Sequence, residues 1–578
     1  MTSVAPVQWI PLARVAPDKS DDAAPETRTE KATDVLMIFP KLGTWDDIIR
    51  DIPLSVIYAS TESVKRGYNV KAVDLRFYEE NWKSAIDPIL QAGCRLVGLS
   101  VMTGNPVRTS LEVSKYVREN YPDVPIVWGG PHPTTLPEQT LENPYIDYVI
   151  RDGGSQPLAE LIDYLRGGDQ RLDAIAGLAY KDSQGELKVN PPQKTFEILD
   201  FREIPYHLVD ISGKNYNRLN SGELVFPIFM SAGCPYQCTF CVSPATYRKI
   251  EGKKWVGYDA QEVLDHIQYL SERYEFPRIQ VYDDESFINP HLMKEIMEGW
   301  IERGYHEKYK LDFRGIRFND IERKEIDDDY LRLMEKAGVE YMFLGLESGS
   351  PRMLKVLKKA ITVDQVLRAN RKLARFPKLK PHYNFFCGAP GETVESLQET
   401  KTLLLQLMEE HPKAYVGHGG HWKPIPGSEI TDIAVKSYGL KLPDKLEGWA
   451  EIDTLDMDKR APDYAWYSKE LLDMIKLLTL AGMILDGKTK DLIGNLQPVM
   501  STTAHTLIKM YRPLLRLRLK YNYAGFFVEM KAYNFAINSI GKFLKHKFNR
   551  KALQAASAAS SSNGQWTRSR EQGAASES

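Results

Sequence analysis

Between residues 34 and 167 the chain alternates short apolar runs with longer stretches of helical period. "DVLMIFP" (34–40), "NVKAVDL" (69–75), "CRLVGLSV" (94–101), "VPIVWGG" (124–130) and "IDYVIRD" (146–152) have the length and composition of strands. "PLSVIYASTESVKRG" (53–67), "NPVRTSLEVSKYVRENYP" (105–122) and "SQPLAELIDYLRGG" (155–168) space their apolar residues as helices do. Apolar strands alternating with helices predict a parallel, doubly wound sheet. In such sheets a ligand sits beyond the carboxyl ends of the strands. Ser100, Thr103 and Gly104 follow the third strand; Gly129, Gly130 and His132 follow the fourth. Glycines there allow a ligand close to the backbone. Taken alone, the same residues also suit tight turns in a purely structural domain. "IAGLAYKDSQGELKVNPP" (175–192) alternates around Asp182–Gly185 and reads as a small hairpin, and 199–210 reads as a covering linker.

A second alternation starts with "LVFPIFMSAG" (224–233). It continues at 278–287, 309–318, 339–350, 380–393 and 413–427, with helical sequence between. Six strand–helix units predict a partial parallel barrel, with chemistry at the strands' carboxyl ends. The polar residues fall at those ends: Asp283, Asp284 and Glu285; Arg314 and Arg317; Glu347 and Ser348; then the turn from Gly388 to Glu392.

Composition narrows the class. At 578 residues the chain exceeds one core, and 43% hydrophobic with 26% charged residues suits a globular protein. A net charge of −2 gives no overall case for nucleic acid. Residues 1–32 lack a signal-peptide pattern, and no apolar run approaches the ~18 residues of a membrane span. Few cysteines in this length suit a reducing compartment, hence the cytoplasm. The Ala/Ser/Gly-rich end predicts disorder.

Three of the five cysteines, Cys234, Cys238 and Cys241, lie in "SAGCPYQCTFC" (231–241). An odd number does not pair off into disulfides. A structural zinc would need a fourth ligand, and no other His or Cys lies within about twenty residues. Cubane iron–sulfur clusters normally take one thiolate per iron, so three thiolates leave one iron open to a small-molecule chelator. Cys94 and Cys387 sit in apolar strands and read as packed core thiols.

These motifs resemble a known family. The cysteine spacing, with Phe240 before the third cysteine, is similar to the cluster motif of radical S-adenosylmethionine (SAM) enzymes. The upstream order "AVDL", "GLSVMTGN", "VWGGPHPT", "DYVIRDGG" resembles the cobalamin-binding domain found in front of many of them. The resemblance implies an α/β protein: a Rossmann-like doubly wound cobalamin-binding domain, a partial (β/α)6 radical SAM barrel and a C-terminal helical region. The expected segments are a disordered 1–33, the cobalamin domain 34–167 and a linker with hairpin 168–222. The barrel then takes 223–440, basic amphipathic helices 441–552 and a disordered tail 553–578.

It further implies a 4Fe-4S cluster on Cys234, Cys238 and Cys241. SAM is expected against Phe240, Asp283, Asp284, Arg317, Glu347, Gly388 and Glu392. Cobalamin is expected against Ser100, Thr103, Gly104, Gly129, Gly130 and His132. Two motifs depart from the family. The histidine-bearing loop after the first strand is replaced by "KLGTWDD" (41–47), so cobalamin is expected base-off with no histidine from that loop. "RDGGSQ" (151–156) replaces an acidic Gly-Glu-Gly-Glu. The implied reaction is methylation of an unactivated carbon of a hydrophobic or natural-product substrate, through a 5′-deoxyadenosyl radical. The alternative is ring formation, as in anaerobic magnesium-protoporphyrin ester cyclase; the non-enzymatic alternative is a cobalamin or redox sensor. Partners would be a small-molecule or lipid substrate and a reductant such as flavodoxin or ferredoxin, with no nucleic acid.

Residues 508–551 place eleven Lys and Arg against the single acid Glu529, with leucines and aromatics at helical spacing. Such a segment is either a cap with a solvated basic face or a helix that touches an anionic membrane.

Overall fold

The computed structural model describes residues 32–43, 46, 50–78, 81–216, 223–417, 419–452, 463–485 and 498–524. The expectations for residues 1–31, for 525–552 and for the 553–578 tail fall outside the described residues, while Thr33, expected to be disordered, is buried and bridges to Cys94.

The first sheet contains β1 (Val35–Phe39), β2 (Val70–Asp74), β3 (Val97–Ser100), β4 (Ile126–Gly129) and β5 (Tyr148–Ile150). They run parallel in the order β2-β1-β3-β4-β5. Strand order reverses between β1 and β3, so a crevice opens there at the carboxyl ends. The hairpin forms as expected, but as part of this sheet rather than as a connector. Its strands β6 (Leu178–Lys181) and β7 (Leu187–Val189) extend the sheet antiparallel beyond β5. The helix expected over 53–67 divides into Leu54–Ala59 and Thr61–Lys65. The Ser60 hydroxyl between them donates to the Val56 carbonyl at 2.8 Å, a back-bond that bends helices.

The second sheet follows the expected six units. β8 (Val225–Ile228) is followed in chain order by β9 (Ser231–Gly233) and β10 (Trp255–Gly257), a separate antiparallel pair. Then come β11 (Arg278–Val281), β12 (Lys310–Ile316), β13 (Val339–Glu347), β14 (Lys380–Phe385) and β15 (Tyr415–Val416). The order is β8-β11-β12-β13-β14-β15, parallel throughout. The core of this half takes in Ile52 and Leu54 of the first domain and Leu471, Ile475, Leu515 and Leu519 of the carboxyl-terminal helices.

The segment after the barrel does more than the sequence showed. Leu446, Trp449 and Ala450 join the core of the first domain. The Trp449 indole donates to Gln139 Oε1 at 2.7 Å. Its ring also meets His132 edge-on at 5.7 Å. Sequence order hides this strap, since it joins residues three hundred positions apart.

His132 is fully buried, and its Nδ1 shares a hydrogen bond of 3.0 Å with Thr103 Oγ1. Burial pushes its pKa down to about 4. An unfolded histidine titrates near 6.5, so this neutral ring adds stability above pH ~6.5 that drains away as pH falls towards 4, at up to ~1.4 kcal/mol per pH unit. Buried carboxyls at Asp46, Asp283 and Asp312, raised to about 6 by desolvation, act with the opposite sign. The difference between parent and His132→Asn isolates the histidine. Denaturant midpoints at several pH values should show a shallower acid loss in the variant; parallel curves would contradict the assignment.

Candidate active site

The cysteine loop starts from a strained glycine. Gly233 has φ +89°, and a Cβ there would collide with the Phe196 ring and the Lys254 carbonyl. Only glycine satisfies both constraints. Asp283 holds the strand before it: its carboxylate accepts Met230 N–H (2.8 Å), Ser231 N–H (3.2 Å) and the Ser231 hydroxyl (2.7 Å). Asp283 was expected at SAM. It lies instead behind the loop, outside the residues that line the adjacent cavities, with its oxygens committed to the backbone.

Cys234, Cys238 and Cys241 line one cavity of about 310 Å³ at the carboxyl ends of the barrel strands. Phe240, Asp284, Arg317 and Glu347, four of the residues the sequence proposed for SAM, line it too. Burial pushes the Cys234 thiol up to about 12 and raises the Cys241 thiol. A thiol in that state needs a cation to ionise, and coordination to iron supplies one. Arg317 Nη1 stands 3.6 Å from Cys238 Sγ, and its guanidinium stacks on Tyr236 at 3.7 Å. Among the described residues no three His, Cys, Asp or Glu side chains converge on one point. A cubane asks for no such convergence, because each thiolate ligates a separate iron. The three thiols around one cavity therefore fit that group.

Glu347 shows how β13 aims a carboxylate. It sits at φ +62°, unusual for a residue with a Cβ, at a register shift between β13 and β14. There its Oε1 meets Lys359 Nζ at 2.9 Å. A Cβ at Gly345 would strike both groups, so this pair closes over a glycine. Gly388 and Glu392, expected at SAM, do not line the cavity. The Glu392 carboxylate turns back on its own loop and accepts Gly388 N–H at 2.5 Å. Gly388 is packed under the Tyr467 ring. Cys387 is a fully buried core thiol; Cys94 is half-buried, donating to the Leu96 carbonyl at 3.2 Å.

Sequence reasoning assigned no ligand to several members of the cavity, Glu285, Lys359 and Arg314 among them. Glu285 was noted at a strand end but given no ligand. It is 3% exposed, and burial beside Asp320 pushes its carboxyl well up. Lys359 follows Lys358 at φ +48° and precedes Ala360 at φ +55°. Nothing in a lysine pair within a helix–loop junction signals that backbone. Arg314 also lines the cavity; it donates to Gln280 at 3.0 Å and lies 3.9 Å from Asp51 of the first domain.

A larger cavity, about 570 Å³, lies between the first sheet and the barrel mouth. Ser100, Gly129 and Gly130, three of the residues the sequence proposed for cobalamin, line it. Met37, Gly98, Leu99, Val127 and Leu158 carry it into an apolar slot of the sheet. Barrel residues Phe229, Tyr247, Tyr258 and Tyr282 face it from the other side. Thr103, Gly104 and His132, expected with them, are instead buried away from this cavity. Their turn is filled by the His132–Thr103–Trp449 packing. Asp284 and Ser243 border both cavities, and Tyr247 donates to Asp284 at 2.5 Å.

A switch-point sheet thus faces a partial barrel that carries a three-cysteine loop at its mouth, with a cavity on each side of Ser243 and Asp284. Comparisons with known proteins agree. The B12 binding domain family matches residues 44–162, and the Radical SAM superfamily matches residues 228–404. The chain therefore carries a B12-binding domain followed by a radical SAM domain. An uncharacterized methyltransferase of Pyrococcus horikoshii is 27% identical over 408 residues, covering 70% of this chain and 82% of that protein. Anaerobic magnesium-protoporphyrin IX monomethyl ester cyclase of Rubrivivax gelatinosus is 28% identical over 297 residues, half of each chain. Among solved structures, the cobalamin-dependent SAM radical enzyme OxsB, with aqua-cobalamin and S-adenosylmethionine bound, aligns at TM-score 0.62 and 19% identity. That alignment covers 89% of this chain and 76% of OxsB, and it bears on the fold.

Proposed function

We propose that the protein is a cobalamin-dependent methyltransferase that methylates an unactivated carbon. One observation carries the reading: the three-cysteine cavity and the interdomain cavity lie side by side, sharing Ser243 and Asp284. A substrate held beside these two residues would lie within reach of both cavities. When bound, the 4Fe-4S cluster supplies the electron that cleaves SAM to a 5′-deoxyadenosyl radical, and cobalamin supplies the methyl group.

The chain's own residues hold and orient these groups. Cys234, Cys238 and Cys241 provide three thiolates, and the Arg317 guanidinium offsets their negative charge. Asp284, at the cavity wall, accepts hydrogen bonds of the kind a methionine ammonium donates. Phe240 offers a ring face to an adenine, packed against Phe386 at 5.3 Å. The Lys359 ammonium leaves Glu347 charge-paired, so it can accept from ribose hydroxyls without an isolated buried charge. In the first domain, Ser100 and the backbone at Gly129 and Gly130 border the corrin site. The apolar slot beside Gly98 and Val127 suits a flat base detached from cobalt, which supports base-off binding.

Ring formation without methyl transfer is the second reading, favoured by the 28% identity to the cyclase. Anaerobic turnover with methyl-labelled SAM on extracts of the source organism separates the two. Label in a product carbon is expected. Deoxyadenosine formed without label transfer would favour the cyclase reading.

A further inference from the structure

The helix Pro498–Tyr521 is clamped to the barrel on one side and bare on another. Leu515 and Leu519 are fully buried in the barrel core. Lys401 Nζ, from the helix Val394–Glu410, donates to the Leu519 carbonyl at 2.9 Å and to Asn522 Oδ1 at 2.5 Å. Asn522 turns to φ +52°, and Tyr523 N–H closes on the Arg518 carbonyl, so the helix end is capped. This mount holds the helix in one rotation about its axis.

That rotation turns a second apolar row outward. Met510 is 73% exposed, Leu514 49%, Leu517 52% and Tyr521 66%. The spacing i, i+4, i+7, i+11 puts all four on one face. Single exposed leucines are ordinary, but a row of four large side chains along three turns is not. Lys509, Arg516 and Lys520 are exposed too, and they form the adjacent row, about 110° round the helix. Residues 498–524 contain five Lys and Arg and no Asp or Glu.

We propose that this face docks the enzyme on an anionic lipid surface, lying in the interface with the apolar row down. Charge complementarity selects this occupant. A self-packing interface needs acids to answer its bases, and this helix has none. A nucleic acid would contact the basic row and leave four apolar side chains in water. No helix among the described residues is long and apolar enough to cross a membrane, so the contact is peripheral. The helix lies against the barrel, so docking brings the barrel to the lipid surface.

Vesicle flotation of the full chain tests it, with phosphatidylglycerol and phosphatidylcholine vesicles at low and high salt. Two substituted chains accompany it: Leu514→Ser/Leu517→Ser/Tyr521→Ser, and Arg516→Glu/Lys520→Glu. All five positions are exposed, so thermal unfolding should stay unchanged. The expected result is flotation with phosphatidylglycerol that falls on the order of tenfold or more with either set, with salt and with phosphatidylcholine. Absence of flotation by the full chain overturns the proposal. So does flotation that both sets leave unchanged, which would place the contact elsewhere in the chain. A dimer in solution that the apolar set dissolves would assign the face to a second copy and overturn it as well.

Discussion

Replacing Cys238 with alanine should drop iron and sulfide per reconstituted chain at least tenfold and abolish 5′-deoxyadenosine formation. The argument is one of ligand number. The cavity offers three thiols. Two thiolates leave two irons of a cubane without protein ligands, and a cluster held so loosely is lost. Cys238 is the most buried of the three at 8% exposure, with the Arg317 guanidinium beside it, so nothing from solvent replaces it well. Cys387→Ala is the matched control. That thiol is fully buried and outside the cavity lining, so the variant should load its cluster normally. Full cluster content in Cys238→Ala would sink the cluster assignment.

Gly129→Leu should cost corrinoid binding ~10- to 200-fold while leaving the fold intact. Gly129 lies at the end of β4, and its ideal Cβ would meet only the Ile150 carbonyl at 3.5 Å, an ordinary contact. It lines the interdomain cavity, so a leucine there takes space the ligand needs. Its neighbour Gly130 cannot serve the same purpose. It has φ +97°, and a Cβ would come within 2.9 Å of the Val101 backbone. A side chain there disturbs the protein before it disturbs the ligand. The readout is the absorbance of corrinoid retained after reconstitution with hydroxocobalamin and desalting. Unchanged retention with unchanged thermal stability would move cobalamin out of this cavity.

Much of the fold was legible because it rests on period. β1, β3, β4 and β11 to β14 are apolar runs of strand length, and each appears close to where its pattern put it. The site was legible where chemistry is local. Cys-x3-Cys-x2-Cys with Phe240 is contained in eight residues, and the structure brings all four to one cavity. Residues chosen by their place after a strand fared unevenly. Asp284 and Glu347 reach the cavity; Asp283 and Glu392 carry the same charge but spend it on backbone N–H groups. The chain leaves β11 at Val281 and bends at Asp284, so two neighbouring aspartates divide between loop support and cavity wall, which their shared residue type does not reveal.

The sequence by itself determined the two alternating α/β halves, the three-thiol loop and the absence of a histidine from residues 41–49. Each follows from spacing along the chain or from residue identity, and no distant contact is needed to see it. Only the tertiary structure decided that His132 and Thr103 are core, because the strap carrying Trp449 returns from beyond the barrel to cover them. It also decided that the two cavities lie side by side, with Asp284 and Ser243 in the walls of both. That adjacency joins residues of two domains across a packed interface, and burial and contact of that kind have no period in the chain that could announce them.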